Sequence, residues 1–288
     1  MNPPRLAVIV LAAVIASAFG VVLAFERLRP LRRTVERKGR RVLRNLTTGG
    51  IALVMVTPLQ ALLLAPVSRW MLAHHVGLLN IVQLPRPVSV GVAVVLLDYT
   101  LWSWHWANHR VPFLWRFHLV HHVDRDLDAS TALRFHFGEN ILATLYRAAQ
   151  IVILGASPLA VWVWHLILFA SILFHHSNVA LPFAWERRLV RVIVTPRMHG
   201  IHHSDYLNEA NSNWSSLFSW WDYLHGTMVL SVPQQDVRIG VPAYQSAEEG
   251  TLGRILVVPF RRQRSDWDGP EGSRLARPHS EPIATLAE

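Results

Sequence analysis

Eight histidines stand at spacings that bring imidazole rings side by side. His105 and His109, in HWANH, are four apart, and His118, His121 and His122, in HLVHH, are separated by three and four. His199, His202 and His203, in HGIHH, repeat that arrangement eighty-one residues later. Residues three or four apart share one face of a helix, so each segment offers a row of ring nitrogens. Neutral rings buried together leave lone pairs without partners, and charged ones repel and lose hydration. A bound metal removes both costs. Imidazole suits iron, copper, zinc and nickel alike, and eight ligands exceed the three or four that one zinc ion takes. The set therefore implies two ions, each holding roughly four nitrogens with a position left open. An open pair of redox ions is suited to activating dioxygen.

Carboxylates that orient ligand imidazoles through the second ring nitrogen are the next expectation. Asp98 lies two helical turns before His105 on the same face and is an acid inside an apolar run, which is costly unless used. Asp222, in SWWDYLHGT, is likewise set among apolar and aromatic residues. Both are candidates for supporting the catalytic centre. His74, His75, His165, His225 and His279 lack such spacing and read as surface or hydrogen-bonded residues. With no cysteine in 288 residues, disulfides, thiolate catalysis, iron–sulfur clusters and cysteine-built zinc sites are excluded.

The elements that must position these rings are membrane helices. Hydrophobic residues make up 51% of the chain and charged ones 16%, against roughly 25% charged in ordinary soluble domains. From Leu6 to Phe25 the chain is apolar over about the twenty residues that cross a bilayer. A retained anchor fits this stretch better than a cleaved signal peptide, because the heavy positive run follows the apolar segment instead of preceding it. Nine of the 28 basic residues lie between Arg27 and Arg44, which places that loop in the cytoplasm. A second apolar stretch runs from Leu46 to about Val67 and a third from Val88 to Trp104. Ile141 to Phe174, broken around Gly155 and Pro158, reads as a hairpin. Trp70, Trp162 and Trp164 fall at outer span ends, and Trp102, Trp104, Trp106 and Trp115 at inner ones, as interfacial belts do.

The expected fold is all-α: a polytopic membrane helical bundle of about four to five spans, hairpin included, with a cytosolic histidine-rich helical cap. Residues 1–97 hold the first spans and the basic loop. Residues 98–232 hold the histidine region with its hairpin at 141–174, and 233–288 form a cytosolic segment. From Pro259 on, the polar, Pro- and Gly-rich composition reads as a disordered tail.

DYTLWSWHWANHRVPFLWRFHLVHH, STALRFHFGE, LFHHSNVALP, VTPRMHGIHHS and SWWDYLHGT, taken in order from Asp98 to Thr227, resemble the fatty acid hydroxylase superfamily, the sterol desaturase-like di-iron membrane enzymes. The resemblance implies two iron ions at the cytosolic membrane face, with zinc as a substituted metal. It implies O2 and two external electrons used to hydroxylate or desaturate a lipid. By position, His105, His109, His118, His121, His122, His199, His202 and His203 are the implied ligands. His176 is an additional one and His175 is less secure. His136 is implied to be structural or substrate-facing.

No GxGxxG fingerprint occurs, so electrons are expected from a separate donor such as cytochrome b5 or a ferredoxin. The other expected partners are the lipid substrate and the membrane, and nucleic acid is not among them. Arg116, Arg134 and Arg197, next to the histidine segments, are candidates for holding the lipid head. The basic loop from Arg27 to Arg44 sets topology and meets lipid head groups, or docks an acidic partner. Rival readings are a bis-histidine haem electron carrier, a zinc-dependent membrane hydrolase, and a metal transporter whose ligands line a path across the bilayer.

Overall fold

Where the sequence alternates long apolar runs with short polar ones, the backbone forms helices. The computed structural model describes residues 5–278, with side chains from residue 17 onward. Most side chains of the expected first span, and the chain from His279 on, lie outside those residues. Helix α1 spans Arg5–Leu28. α2 spans Lys38–Ala73, α3 Leu78–Ile81 and α4 Arg86–Arg110. α5 spans Pro112–His122, and a helical hairpin follows as α6, Phe137–Leu154, and α7, Pro158–His176. Short helices α8, Phe183–Leu189, and α9, Pro196–His202, lead to α10, Leu207–Ala210, α11, Trp220–Leu224, and α12, Leu252–Val257.

Among the described residues, three segments are long and apolar enough to cross a membrane: Lys38–Ile81, Arg86–Arg110 and Pro158–His176. The outward faces are apolar, with Leu62 78% and Val54 73% exposed, as a helix solvated by lipid tails requires. Of the tryptophans, Trp70, Trp106 and Trp162 are exposed, whereas Trp164 is fully buried and Trp102 packs in the core. The hairpin turn is made by Gly155, whose left-handed φ of 68° caps α6, and by Pro158 opening α7. A Cβ on Gly77, itself at φ 97°, would stand 2.3 Å from the Gly155 nitrogen, so the two glycines let α3 and the hairpin touch.

The basic segment is not the free loop its composition suggests. At 36 residues α2 is about 54 Å long, well beyond a bilayer core of about 30 Å. One face of its first two turns, carrying Arg41 and Asn45, is polar and buried in the cap. There Arg41 pairs with Asp124 at 3.1 Å and Asp128 at 2.6 Å, and Asn45 reaches Asp124 and Ser130. Arg44 pairs with Glu36 and Asp124. Arg32 donates to Gln234 and Pro196 across α9. A Cβ on Gly200 would sit 2.1 Å from the Arg32 guanidinium, so a larger residue there would displace that side chain. Glu26 accepts from the Ala129 and Asn178 backbones. Residues 26–45 thus clamp the loops that follow His122 and His176, leaving Arg27, Arg29, Arg33, Arg37 and Arg40 exposed.

The expected disorder after Pro259 is corrected in residues 261–278, which pack against the cap. Trp115 donates to Asp266 at 2.6 Å and stacks near Trp267. Arg274 pairs with Asp205, and Arg277 with Glu209. A two-residue hairpin, Asp268–Gly269 with Gly272–Ser273, closes the segment. Composition misleads here because a few aromatic and ionic anchors suffice when a folded surface is already present to receive them.

Removing Arg41 takes the ion-pair partner from buried Asp128 and leaves buried Asp124 with Arg44 alone. Arg41→Met is expected to cost about 3–5 kcal/mol and to lower the thermal unfolding midpoint of the protein in detergent. An unchanged midpoint would show that the clamp carries no stability.

Candidate metal centre

Four helix ends deliver the rings. α4 brings His105 and His109 in its last two turns, α5 brings His118, His121 and His122, α7 ends on His175 and His176, and α9 carries His199 and His202 with His203 as its cap. Pro112 starts α5 and Pro196 starts α9, each at a first-turn position where proline's missing N–H is harmless. Thr195 caps α9 by accepting from the Met198 amide.

The nine expected ligands fall into two groups. His105, His109, His118, His122 and His202 form one, and His121, His176, His199 and His203 the other, with potential ligand atoms within 4.8 Å of one another in each. The triplets are shared between the groups according to helix geometry. Partners four apart turn by only about 40° and stay together: His105 with His109, His118 with His122, and His199 with His203. The residue three after the first, His121 or His202, points about 60° the other way and joins the opposite group.

Outward hydrogen bonds set the rings. Nδ1 of His105 donates to the Trp214 carbonyl at 2.7 Å, that of His202 to Ser212 at 2.8 Å and that of His176 to Ile172 at 2.8 Å. His121 reaches the Arg134 carbonyl at 3.3 Å. His118 donates to Glu139 Oε1 at 2.8 Å. A ring donating through Nδ1 keeps its lone pair on Nε2. In the five-ring group all five Nε2 atoms are buried with no partner. In the four-ring group His176 Nε2 lies 3.1 Å from His121 Nε2 and 3.0 Å from His199 Nε2, and His203 Nε2 is 3.1 Å from His199 Nε2. His121 and His176 face each other with acceptors, so no hydrogen bond forms between that pair. Burial, reinforced by neighbouring rings, drives His121, His122, His199 and His203 well below the ordinary imidazole range, and burial takes His202 to about 3. These rings are neutral donors at neutral pH. Converging neutral lone pairs are what a pair of metal ions fits.

His175 is buried against His176 and His199 but stands outside both groups. His136 is structural: Nδ1 accepts from Gly138, capping α6, and Nε2 bonds the Leu256 carbonyl. His225 stacks on Trp102 at 4.0 Å.

The expected direct support by Asp98 is not what the geometry gives. Its Oδ2 accepts from the Phe218 amide and Trp221 Nε1, and the His105 ring turns to a carbonyl instead. Asp222 acts one bond further out. It accepts from the Trp214 and Ser215 amides, Trp102 Nε1 and Thr227, fixing the loop whose Trp214 carbonyl holds His105. The carboxylate that touches a ring is Glu139, in RFHFGE. Its only sequence signal was an acid beside an apolar helix start.

Beside the rings a cavity of about 150 Å³ opens between α4, α6 and α7. Leu101, Trp104, Phe135, Leu168 and Ile172 give it an apolar wall, and His105, His118, His121, His176 and His199 form one end. Arg116, Arg134 and Arg197 do not line it. Arg134 is consumed by the Val120 carbonyl and Asn45, and Arg197 by Glu186.

Membrane helices that gather two sets of imidazoles at the end of an apolar cavity define a histidine-rich integral membrane protein with the donor set of a metal centre. Residues 90–227 match the model of the fatty acid hydroxylase family. That match covers just under half of the chain, which is thereby similar to a family known for iron use. Its relatives are lipid hydroxylases and monooxygenases. It is 28% identical to ornithine lipid hydroxylase OlsE of Rhizobium tropici over 254 residues, 86% of this chain and 74% of that one. It is also 28% identical to cholesterol 25-hydroxylase of Mus musculus over 48% of this chain and 46% of that one. Alkylglycerol monooxygenase of Xenopus tropicalis is 24% identical over 52% of this chain and 33% of that one. This chain thus spans less than half the length of the last two. No solved structure matches.

Outer partners of metal-bound imidazoles typically contribute about 10–100-fold to metal affinity. Glu139→Gln is expected to lower metal affinity within that range, whereas Asp98→Asn leaves it unchanged, as read by metal titration of the purified protein. Equal losses in both would contradict the geometry.

Proposed function

We propose that the protein is a membrane lipid oxygenase that uses two iron ions, held by His105, His109, His118, His122 and His202 in one group and by His121, His176, His199 and His203 in the other. The observation that carries this reading is the convergence of unpartnered Nε2 atoms at the end of a cavity walled by membrane helices. The iron pair, when bound, supplies dioxygen activation. Overall, one oxygen atom enters a C–H bond and the other leaves as water, with two electrons and two protons delivered from outside. Desaturation uses the same inputs, removes two hydrogens and releases both oxygen atoms as water.

The chain's own residues have definite tasks in this scheme. Glu139 and the Trp214, Ser212, Ile172 and Arg134 carbonyls hold protons on Nδ1, so that Nε2 remains a donor. The aliphatic and aromatic wall takes the hydrocarbon part of the lipid and excludes water from the reacting carbon. Electrons come from a separate donor of the cytochrome b5 or ferredoxin kind. The exposed Arg27, Arg29, Arg33, Arg37 and Arg40 sit where α1 meets α2, on the side of the rings, which supports a cytoplasmic site.

The geometry favours this over the rivals. A haem iron takes two opposed rings, whereas here five and four converge. A transporter needs ligands spread along a path across the bilayer. A zinc hydrolase shares the donor set but needs no oxygen.

The test is incubation of metal-loaded protein, a reductant and a lipid extract under 18O2. The expected result is one labelled oxygen in a lipid product, or loss of two hydrogens, and abolition of both by His121→Ala and by His202→Ala together with loss of iron. Turnover without O2, or undiminished activity in both variants, would sink the assignment.

A further inference from the structure

The cavity contains one charged side chain that serves no ring. Arg147 stands on α6 two turns and a little beyond Glu139, about 12 Å further along the helix axis. Glu139, Ala143, Tyr146 and Arg147 lie on one helix face, and all four line the cavity. The Arg147 guanidinium carbon lies over the Trp164 ring, 3.9 Å from its centroid. Its Nε and Nη1 are buried without a hydrogen-bond partner, and no carboxylate pairs with it among the described residues. Arg147 as a whole is only partly buried, and the fully buried arginines, Arg32, Arg41 and Arg134, each make side-chain hydrogen bonds. Arg147 therefore differs from them in kind.

An unpaired guanidinium between membrane helices is costly. The contact with the tryptophan face offsets part of that cost and holds the group in place, but leaves its buried N–H donors unmet. A fork of donors fixed in this way matches a planar or tetrahedral oxyanion. We propose that Arg147 anchors the anionic oxygen group, carboxylate or phosphate, of the amphiphile that occupies the cavity. This rests on the lipid-oxygenase reading and deepens it. The anchor at one end and the rings at the other fix a separation of about 12 Å along α6. The carbon presented for oxidation is then selected by its distance from the charged head, and apolar walls accept the chain between them.

The test measures binding apart from turnover. Iron-loaded protein in uncharged detergent is titrated with hexadecanoate, hexadecyl phosphate, hexadecanol and inorganic phosphate. Wild-type protein is expected to bind at least one anionic amphiphile about tenfold or more tighter than hexadecanol, as charge-assisted hydrogen bonds allow. The tighter of the two names the head group. Arg147→Met is expected to erase that preference while keeping iron content and hexadecanol binding, and Arg147→Lys to restore part of it. Equal binding of hexadecanol and both anions by the wild type, or an unchanged preference in Arg147→Met, would overturn the anchor. So would inorganic phosphate competing as strongly as the amphiphiles. Oxygen incorporation is read in parallel: binding through Arg147 without oxidation of any lipid would sink the oxygenase reading and leave the anchor standing.

Discussion

Buried neutral imidazoles with their lone pairs pointing at one another are the constraint around which this protein is arranged. Each ring carries one donor and one acceptor nitrogen. At His105, His118 and His202 the fold satisfies the donor outward, on carbonyls and on Glu139, and leaves the Nε2 acceptor facing inward with nothing to accept from. Burial makes protonation expensive, so charge does not relieve the crowding. A cation shared by the rings does. The surrounding structure is consistent with that requirement: carbonyls from the Trp214, Ser212, Ile172 and Arg134 positions surround the cluster as a shell of acceptors.

Much of this was legible in the sequence, because helix geometry is rigid enough to be read from spacing. Intervals of three and four in HLVHH and HGIHH place rings on one face, and the α5 and α9 segments are helical there. The division into two groups follows from the same angles, since the residue three along diverges from the pair four apart. The hairpin was also legible, from Gly155 and Pro158. Those local signals have fixed backbone meaning, a left-handed cap and a first-turn proline.

What stayed hidden depended on pairing between distant segments. Asp98 shares a helix face with His105, yet its carboxylate is taken by Trp221 and the Phe218 amide, more than a hundred residues away. Glu139 reaches His118 across two helices, a contact no periodicity reveals. The basic run offers the same lesson. Charge density alone suggested a solvated or lipid-facing loop, but Asp124 and Asp128, some eighty residues on, bury Arg41 completely. Residues 261–278 looked too polar to fold, and Trp267 with Asp266 found Trp115 beside the rings.

These long-range pairings also determine how the centre comes together. His105 is oriented by a carbonyl 109 residues later, and that carbonyl's loop is pinned by Asp222, which also holds Trp102 on the helix of His105. His121 depends on the Arg134 carbonyl, and Arg134 depends on Asn45 at the base of α2. No ring row is complete within its own helix. The donor set exists only when α2, the cap loops and the helical hairpin are all in place, so metal affinity and cap stability are linked quantities. A substitution at the Arg41 clamp, far in sequence from any imidazole, therefore acts on the same free energy as one at the rings.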